Sequence, residues 1–182
     1  MEKIYFVTGN ENKLMEARQI LTDFEIENVE LDLPELQGER EEVILEKAKL
    51  AAKQLGKPCF VDDTSLCFNA LNGLPGVYIK HFLEKLGREG LFKLLEPYED
   101  KSAEAVAMIG YCEPGKDPIV FEGVTKGKIV EPKGDRFGWD PVFQPEGYDV
   151  TYAEMDQEEK NKISHRKRSL QKFNKWLEEK NG

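Results

Sequence analysis

Cysteine is scarce in this 182-residue chain, with three in all. Cys59, Cys67 and Cys112 are odd in number, form no Cys-x-x-Cys pair and sit in apolar stretches. That excludes a disulfide framework, argues against a zinc centre and leaves three reduced packing residues. Histidine is scarcer still, limited to His81 and His165. No apolar run reaches the ~20 residues that cross a bilayer. The opening Met1-Glu2-Lys3-Ile4-Tyr5-Phe6-Val7 lacks the basic region, long apolar stretch and small-residue cleavage site of a secretory signal, so a cytoplasmic location is expected. Positive charge is in deficit, 26 Lys and Arg against 35 Asp and Glu, for a net charge of −9. Such a balance opposes general affinity for nucleic acid or an anionic membrane surface. Internal repeats, low-complexity tracts and Pro/Gly/Ser linkers are also absent. Residues 1–182 therefore read as a single domain, long enough to bury a substantial core.

What positive charge there is clusters. Lys160, Lys162, His165, Arg166, Lys167 and Arg168 fall close together near the C-terminus, a pattern that suits a small polyanionic ligand better than a long one. A solvated basic helix face is the ordinary alternative. His81 falls among helical residues and reads as structural.

Periodicity supplies the scaffold. Ile4-Tyr5-Phe6-Val7 has strand composition and runs into a Thr8-Gly9-Asn10 turn, after which Leu14, Ala17 and Leu21 repeat at helical spacing from about Lys13. A second helix is predicted over Glu41–Leu55 and is stopped by Gly56-Lys57-Pro58. Cys59-Phe60-Val61 predicts a short buried strand with Asp62-Asp63-Thr64-Ser65 at its end. Gly73-Leu74-Pro75-Gly76 predicts a loop, followed by a helix with Ile79, Phe82, Leu83 and Leu86 on its apolar face. The period then changes to two at Ala105, Ala107, Ile109 and Tyr111. Glu113-Pro114-Gly115-Lys116 predicts a turn with glycine where positive φ is needed. Ile119–Phe121 and Gly127–Val130 predict two further antiparallel strands. One long helix is predicted after Asp156, with Glu159 placed for a reciprocal cap and a stripe of Ile163, Leu170, Phe173 and Leu177. The sum is an α/β fold with a mixed sheet and flanking helices, with a possible division into two lobes around a cleft.

Five segments could carry chemistry. Asp62 and Asp63 are adjacent carboxylates that resist burial unless a cation compensates them, and oxygen-only ligands favour a hard ion such as Mg²⁺. Thr8–Lys13 joins strand to helix and directs backbone N–H groups and a lysine at one point, which suits phosphate, although the Gly-x-x-x-x-Gly-Lys spacing of a P-loop is missing. Phe137-Gly138-Trp139-Asp140-Pro141 sets two aromatics and a carboxylate around a glycine, which suits a flat heterocycle as well as it suits core packing. Ser164-His165-Arg166 forms part of the basic cluster; no nucleophile elbow supports a Ser/His/Asp triad. Glu35, between Leu33-Pro34 and Gln37-Gly38, is a carboxylate able to complete a metal site.

In order along nearly the whole chain, these segments resemble the inosine triphosphate pyrophosphatase family. The resemblance is carried by Thr8-Gly9-Asn10 with Lys13, Leu33-Pro34-Glu35 with Gln37-Gly38-Glu39, and Asp63-Thr64. It continues through Phe68–Leu71, Gly73–Gly76, Phe137–Pro141, Tyr152–Met155, Glu159–Asn161 and Ser164–Arg166. It implies an elongated homodimer with a nucleotide-binding cleft between two lobes. It also implies Mg²⁺-dependent hydrolysis of non-standard purine nucleoside triphosphates (ITP, dITP and XTP) to monophosphate and pyrophosphate. On this likeness Thr8, Gly9, Asn10, Lys13 and Lys47 bind phosphate, Glu11 and Asn12 belong to the substrate-binding set, and Glu35 and Asp63 hold the metal. Asp63 is the expected general base. Phe137, Gly138, Trp139, Asp140, Lys160, His165 and Arg166 recognise base and sugar, and Thr64 and Lys80 line the site. Asp62 departs from the family, where Glu is frequent, and residues between Ala103 and Arg136 carry nothing diagnostic. The rival expectations are a pyrophosphatase for other modified nucleotides and a non-catalytic nucleotide- or RNA-binding module.

Overall fold

The structure, a computed structural model, describes residues 1–182. Seven strands form one mixed sheet: β1 (Glu2–Val7), β2 (Phe24–Val29), β3 (Cys59–Phe68), β4 (Pro75–Gly76), β5 (Ser102–Cys112), β6 (Ile119–Ile129) and β7 (Phe143–Pro145). Their order is β2-β1-β3-β5-β6-β7, with β4 paired to β3 off that path. β1 runs parallel to both β2 and β3, whereas β4 on β3 and β7 on β6 are antiparallel. Five helices accompany the sheet: α1 (Glu11–Ile20), α2 (Arg40–Leu55), α3 (Ile79–Lys93), α4 (Gln157–Ile163) and α5 (His165–Asn181). No helix is long and apolar enough to cross a membrane.

The chain divides into two compact units, and β3, β5 and β6 each contribute residues to both. The first unit comprises Met1–Asp63, Ala107–Gly123 and Arg166–Gly182. Its core gathers Ile4 and Phe6 of β1, Leu14 and Ala17 of α1, Phe60 of β3, and Leu170, Phe173 and Leu177 of α5. Phe6 and Phe60 stack with centroids 4.2 Å apart, and Phe173 closes on Phe60 at 4.9 Å. Each such ring, fully buried, contributes about 1.5–3 kcal/mol by leaving water. Of the apolar stripe predicted for the last helix, Leu170, Phe173 and Leu177 face this core and Trp176 extends it, whereas Ile163 ends α4 and packs on the core of the second unit. The second unit comprises Thr64–Val106 and Val124–His165, with a core of Leu66, Phe68, Leu91, Leu95, Val142, Phe143 and Tyr152.

Several local expectations are corrected. Asp62 and Asp63 do not end a short strand, because β3 continues through them to Phe68. Their charges are tolerated inside a strand because cations meet Asp62 there. The two strands expected over 119–130 are one continuous β6; β2, whose Phe24-Glu25-Ile26-Glu27 alternation has the strand period, and the three-residue β7 are additional, and the loop expected at 73–76 contains the short β4. The single helix after Asp156 is two, since Ser164 takes an extended conformation (φ −66, ψ 145) while the Thr125 hydroxyl caps the Ile163 carbonyl at 2.5 Å. Asp156 makes no side-chain cap, and Glu159 pairs with Lys162 instead. Leu86, expected on the apolar face of α3, is exposed. The Glu113–Lys116 turn forms as predicted, closed by the Lys116 N–H on Glu113 and with Gly115 at φ 78. All three cysteines are free and buried, and burial pushes the Cys59 thiol up to about 12.

Candidate active site

In the first unit, α1 begins where β1 ends. Asn10 caps the helix, its side-chain oxygen accepting from the Asn12 and Lys13 N–H groups at 2.9 and 3.2 Å, while its own N–H donates to the Thr8 hydroxyl. The turn is therefore pre-shaped, and an anion arriving there either replaces the Asn10 side chain or binds through other groups. Gly9 has no conformational need to be glycine: its φ is not positive, and an added Cβ would meet only the Glu30 carboxylate at 3.9 Å.

One turn into α1, the Lys13 ammonium reaches the Asp62 carboxylate at 2.9 Å, and Lys47 of α2 donates to the Asp62 carbonyl at 2.7 Å. Arg166, at the start of α5, brings its Nε within 3.9 Å of the other Asp62 oxygen and its Nη1 within 3.1 Å of Glu16. Asp62 is buried, and that burial alone would raise its pKa; Lys13, Arg166 and Lys47 together overcome it and hold the carboxyl below the usual range. The buried Arg166 Nε–H has no hydrogen-bond acceptor. Thus Lys13, Lys47 and Arg166 face Asp62 and Glu16, leaving cationic charge in excess. Asp63, the next residue, is half-buried.

In the second unit, rings replace charges. Tyr152 and His165 are buried and stack at 5.9 Å with an interplanar angle of 11°, and the Tyr152 hydroxyl lies 3.4 Å from His165 Nδ1. Trp139 joins them at 5.5 Å from His165 and rests edge-on against Phe143. The Lys160 ammonium is paired with Asp140 at 2.7 Å and lies over the Tyr152 ring at 5.1 Å. The outcome is a packed ring cluster in which Tyr152, Phe143 and His165 are buried, while Trp139 and the Lys160–Asp140 ion pair keep partial exposure and could meet a planar polar heterocycle.

Of the residues expected at the site, the first unit unites Lys13, Lys47 and Arg166 around Asp62, and the second unites Trp139, Asp140, Lys160 and His165. Glu11 and Asn12 lie exposed in the first turn of α1, Lys80 is exposed in the first turn of α3, and Thr64 is half-buried in β3. Phe137 is 88 % exposed. Glu35 is exposed in the irregular segment before α2. No group of three or more acid, His or Cys side chains is assembled for a metal. A hard ion that keeps waters and arrives on phosphate needs only one or two carboxylates, so Glu35 and Asp63 fit Mg²⁺ in donor chemistry and fit no ion needing a full protein cage. Three participants escape a reading of the sequence: Glu16, the partner of Arg166; Arg88, whose guanidinium donates to the Gly138 and Arg136 carbonyls; and Arg136, whose own guanidinium donates to the Met155 carbonyl. Glu16 lies one turn after Lys13 on the same helix, a spacing that suggests a pair within α1 and does not point to Arg166; Arg88 had only a glycine before it.

The chain has clear relatives among known proteins. Residues 4–176 match the sequence model described as the Ham1 family. A protein named inosine triphosphate pyrophosphatase from Aspergillus fumigatus is 51% identical over 180 residues, covering 97% of this chain and 95% of its own. One of the same name from Neurospora crassa is 55% identical over 177 residues, covering 96% and 92%. Among solved structures, a HAM1 protein from Coxiella burnetii superposes with a TM-score of 0.89 at 33% identity, over 98% of this chain and 100% of its own. A nucleoside-triphosphatase described as a dITP/XTP pyrophosphatase from Mycobacterium abscessus gives 0.77 at 32% identity, over 94% and 98%.

Proposed function

The chain belongs to the Ham1 family, and from that premise we propose that it hydrolyses non-standard purine nucleoside triphosphates (ITP, dITP and XTP) to monophosphate and pyrophosphate. The observation that carries the reading is the gathering of Lys13, Lys47 and Arg166 on the buried Asp62, with the Asp63 carboxylate next in the chain. Cations held in place before a ligand arrives stabilise charge on phosphate without reorganising during the reaction. Lys13 and Lys47 are assigned to the phosphates. Asp63 orients a water and takes its proton as the water oxygen bonds to the α-phosphorus; the bond to the departing pyrophosphate breaks, and the pair of electrons leaves with it. Glu35 and Asp63 would hold Mg²⁺, which when bound neutralises phosphate oxygens and lowers the pKa of water.

Base choice is assigned to donors. Hypoxanthine and xanthine carry an acceptor oxygen at the 6-position, where adenine carries an amino donor. The Lys160 ammonium, held by Asp140, is a donor that a 6-oxo base can satisfy and adenine cannot. A buried polar group left unmet costs roughly 1–3 kcal/mol, enough to reject ATP by one to two powers of ten. The family resemblance also supports a cytoplasmic homodimer, which light scattering at working concentration tests directly.

Product analysis is the decisive experiment, with Mg²⁺ and ITP, XTP, GTP, ATP and dTTP run in parallel. Monophosphate and pyrophosphate from ITP and XTP, with little from ATP, is the expected result; GTP shares the 6-oxo group, so its rejection has to act on the 2-amino group, by clash or lost solvation. Release of single phosphates puts the cleavage at another bond and overturns the mechanism. Turnover of dTTP instead moves the protein to another class of nucleotide, and no turnover at all points to a binding module.

A further inference from the structure

Within the second unit, α3 departs from helical geometry at Gly87, where φ is 69 and ψ 178, and then resumes. Nothing lies within 4 Å of a Cβ built there, so backbone conformation and not crowding demands the glycine. The break takes Arg88 out of the register that Ile79 and Phe82 set. Its guanidinium instead forks onto main chain far away in sequence: Nε donates to the Gly138 carbonyl at 2.9 Å, and Nη2 donates to the Arg136 carbonyl. Those two carbonyls flank Phe137, which is 88 % exposed and so gains little anchorage from packing. Gly138, at φ 77, has no neighbour within 4 Å of a Cβ either. Downstream the loop is fixed by other means, the Lys160–Asp140 ion pair and the packing of Trp139 on Phe143. Arg136 is tied in turn to the Met155 carbonyl at 2.7 Å and to Gln157 at 3.1 Å.

We propose that Arg88 is a positioning residue, holding the backbone of residues 136–138 in its nucleotide-receiving shape before the base arrives. The proposal rests on the nucleotide pyrophosphatase reading and deepens it. Arg88 touches no reacting atom; it acts through the loop. A planar fork that donates two directed bonds suits two carbonyls two residues apart, and a lysine point charge cannot reproduce it. Without it, the competent loop is one state among several, and apparent affinity falls by the fraction lost.

Arg88→Met and Arg88→Lys are compared with the unaltered protein in two measurements. In hydrogen exchange on ligand-free protein, the amides of 136–138 should exchange faster in Arg88→Met, with those of 142–152 unchanged. In steady-state hydrolysis of ITP with Mg²⁺, KM should rise about tenfold, in line with a loop competent about one-tenth of the time, while kcat moves less than about threefold. Arg88→Lys should recover only a small part of either change. Unaltered exchange at 136–138 overturns the proposal, as does an unchanged KM, full rescue by lysine, or a parallel loss of kcat and thermal stability that marks a general structural role. If the unaltered protein fails to hydrolyse ITP, the proposed function falls, and the exchange experiment still decides the role of Arg88.

Discussion

The two units solve the problem of a polar site in opposite ways. In the first, Lys13, Lys47, Asp62 and Arg166 come from α1, α2, β3 and α5, and the sequence separations are large: 49 residues for Lys13–Asp62 and 150 for Arg166–Glu16. In the second, Asp140, Lys160, Tyr152 and His165 lie within one stretch of chain, with Asp140–Lys160 separated by 20 residues and Tyr152–His165 by 13. A buried charge needs a partner wherever the fold can supply one, so the first cluster is a product of tertiary structure and depends on it. Rings need only surface to lie against, and a short segment can bring several together. The first unit therefore ties its chemistry to its stability, whereas the second keeps them largely apart.

The largest expected effect tests how far chemistry and stability can be separated inside the first unit itself. Asp63→Asn keeps volume and deletes a charge on a half-buried carboxylate. Turnover of ITP should fall by roughly 10³-fold or more, toward the upper end of what general acid–base catalysis supplies, with the melting temperature unmoved. Near-normal kcat removes Asp63 from the reaction. Asp62→Asn, one residue away, should behave differently. It leaves Lys13 and Arg166 facing a neutral amide, and breaking a buried pair in this way costs roughly 3 kcal/mol, to be read from the urea midpoint. A stability close to that of the unaltered protein would show that the cluster is not what holds these elements together.

Acidity sharpens the same point. The Asp62 carboxyl is held below its ordinary pKa of 3.8. The unfolded chain therefore takes up the proton more readily than the folded one as pH falls. The stabilisation is present in full above about pH 3.8, the unfolded value, and is lost as pH drops through the lower folded value. The difference in stability between the unaltered protein and Asp62→Asn should shrink over that acid window and stay constant above it.

In the second unit, Asp140→Asn should affect selectivity more than stability. The Lys160 ammonium keeps the Tyr152 ring beneath it and stays partly accessible to water, so the fold loses little. Its direction, however, is set by Asp140. The preference for ITP over ATP should narrow by about tenfold, the scale on which one directed hydrogen bond discriminates. Narrowing accompanied by a large drop in melting temperature would mean that the second unit couples site and stability as the first does.

The same contrast explains what could be read from the sequence. Helical periodicity located α1, α2 and the apolar stripe of α5, since those faces repeat within a few residues. The ring cluster was visible as the Phe137–Pro141 and Ser164–Arg166 segments because its members lie close in sequence. Glu16 was not singled out, because nothing local distinguishes a carboxylate that meets an arginine 150 residues later. The break at Ser164 was hidden for a related reason: the Thr125 hydroxyl that caps Ile163 belongs to β6, 38 residues away. The extension of β3 through Asp62 and Asp63 also required tertiary knowledge. Two acids argue against a strand until Lys13 and Lys47 are known to meet the first of them.

The smallest effect comes from a third charge cluster, and it isolates burial as the variable. Glu113, on the turn between β5 and β6, pairs with Lys116 at 2.6 Å and with Lys180 of α5 at 2.9 Å, and Lys180 also lies over the Tyr111 and Trp176 rings. Hydrogen bonds from Lys116 and Lys180 pull the Glu113 carboxyl down to about 2. Its geometry is at least as close as that of Lys13 and Asp62, yet Lys116 is 72 % exposed, so water and salt screen the pair. Glu113→Gln should therefore cost less than about 1 kcal/mol, with a loss that fades at high salt and as pH falls from about 4.5 toward 2. Asp62→Asn should exceed it several-fold at the same pH and respond weakly to salt, since the Asp62 carboxylate itself is buried. Equal costs for the two variants, or a shared salt dependence, would mean that proximity of charge and not its burial sets the stability of the first unit.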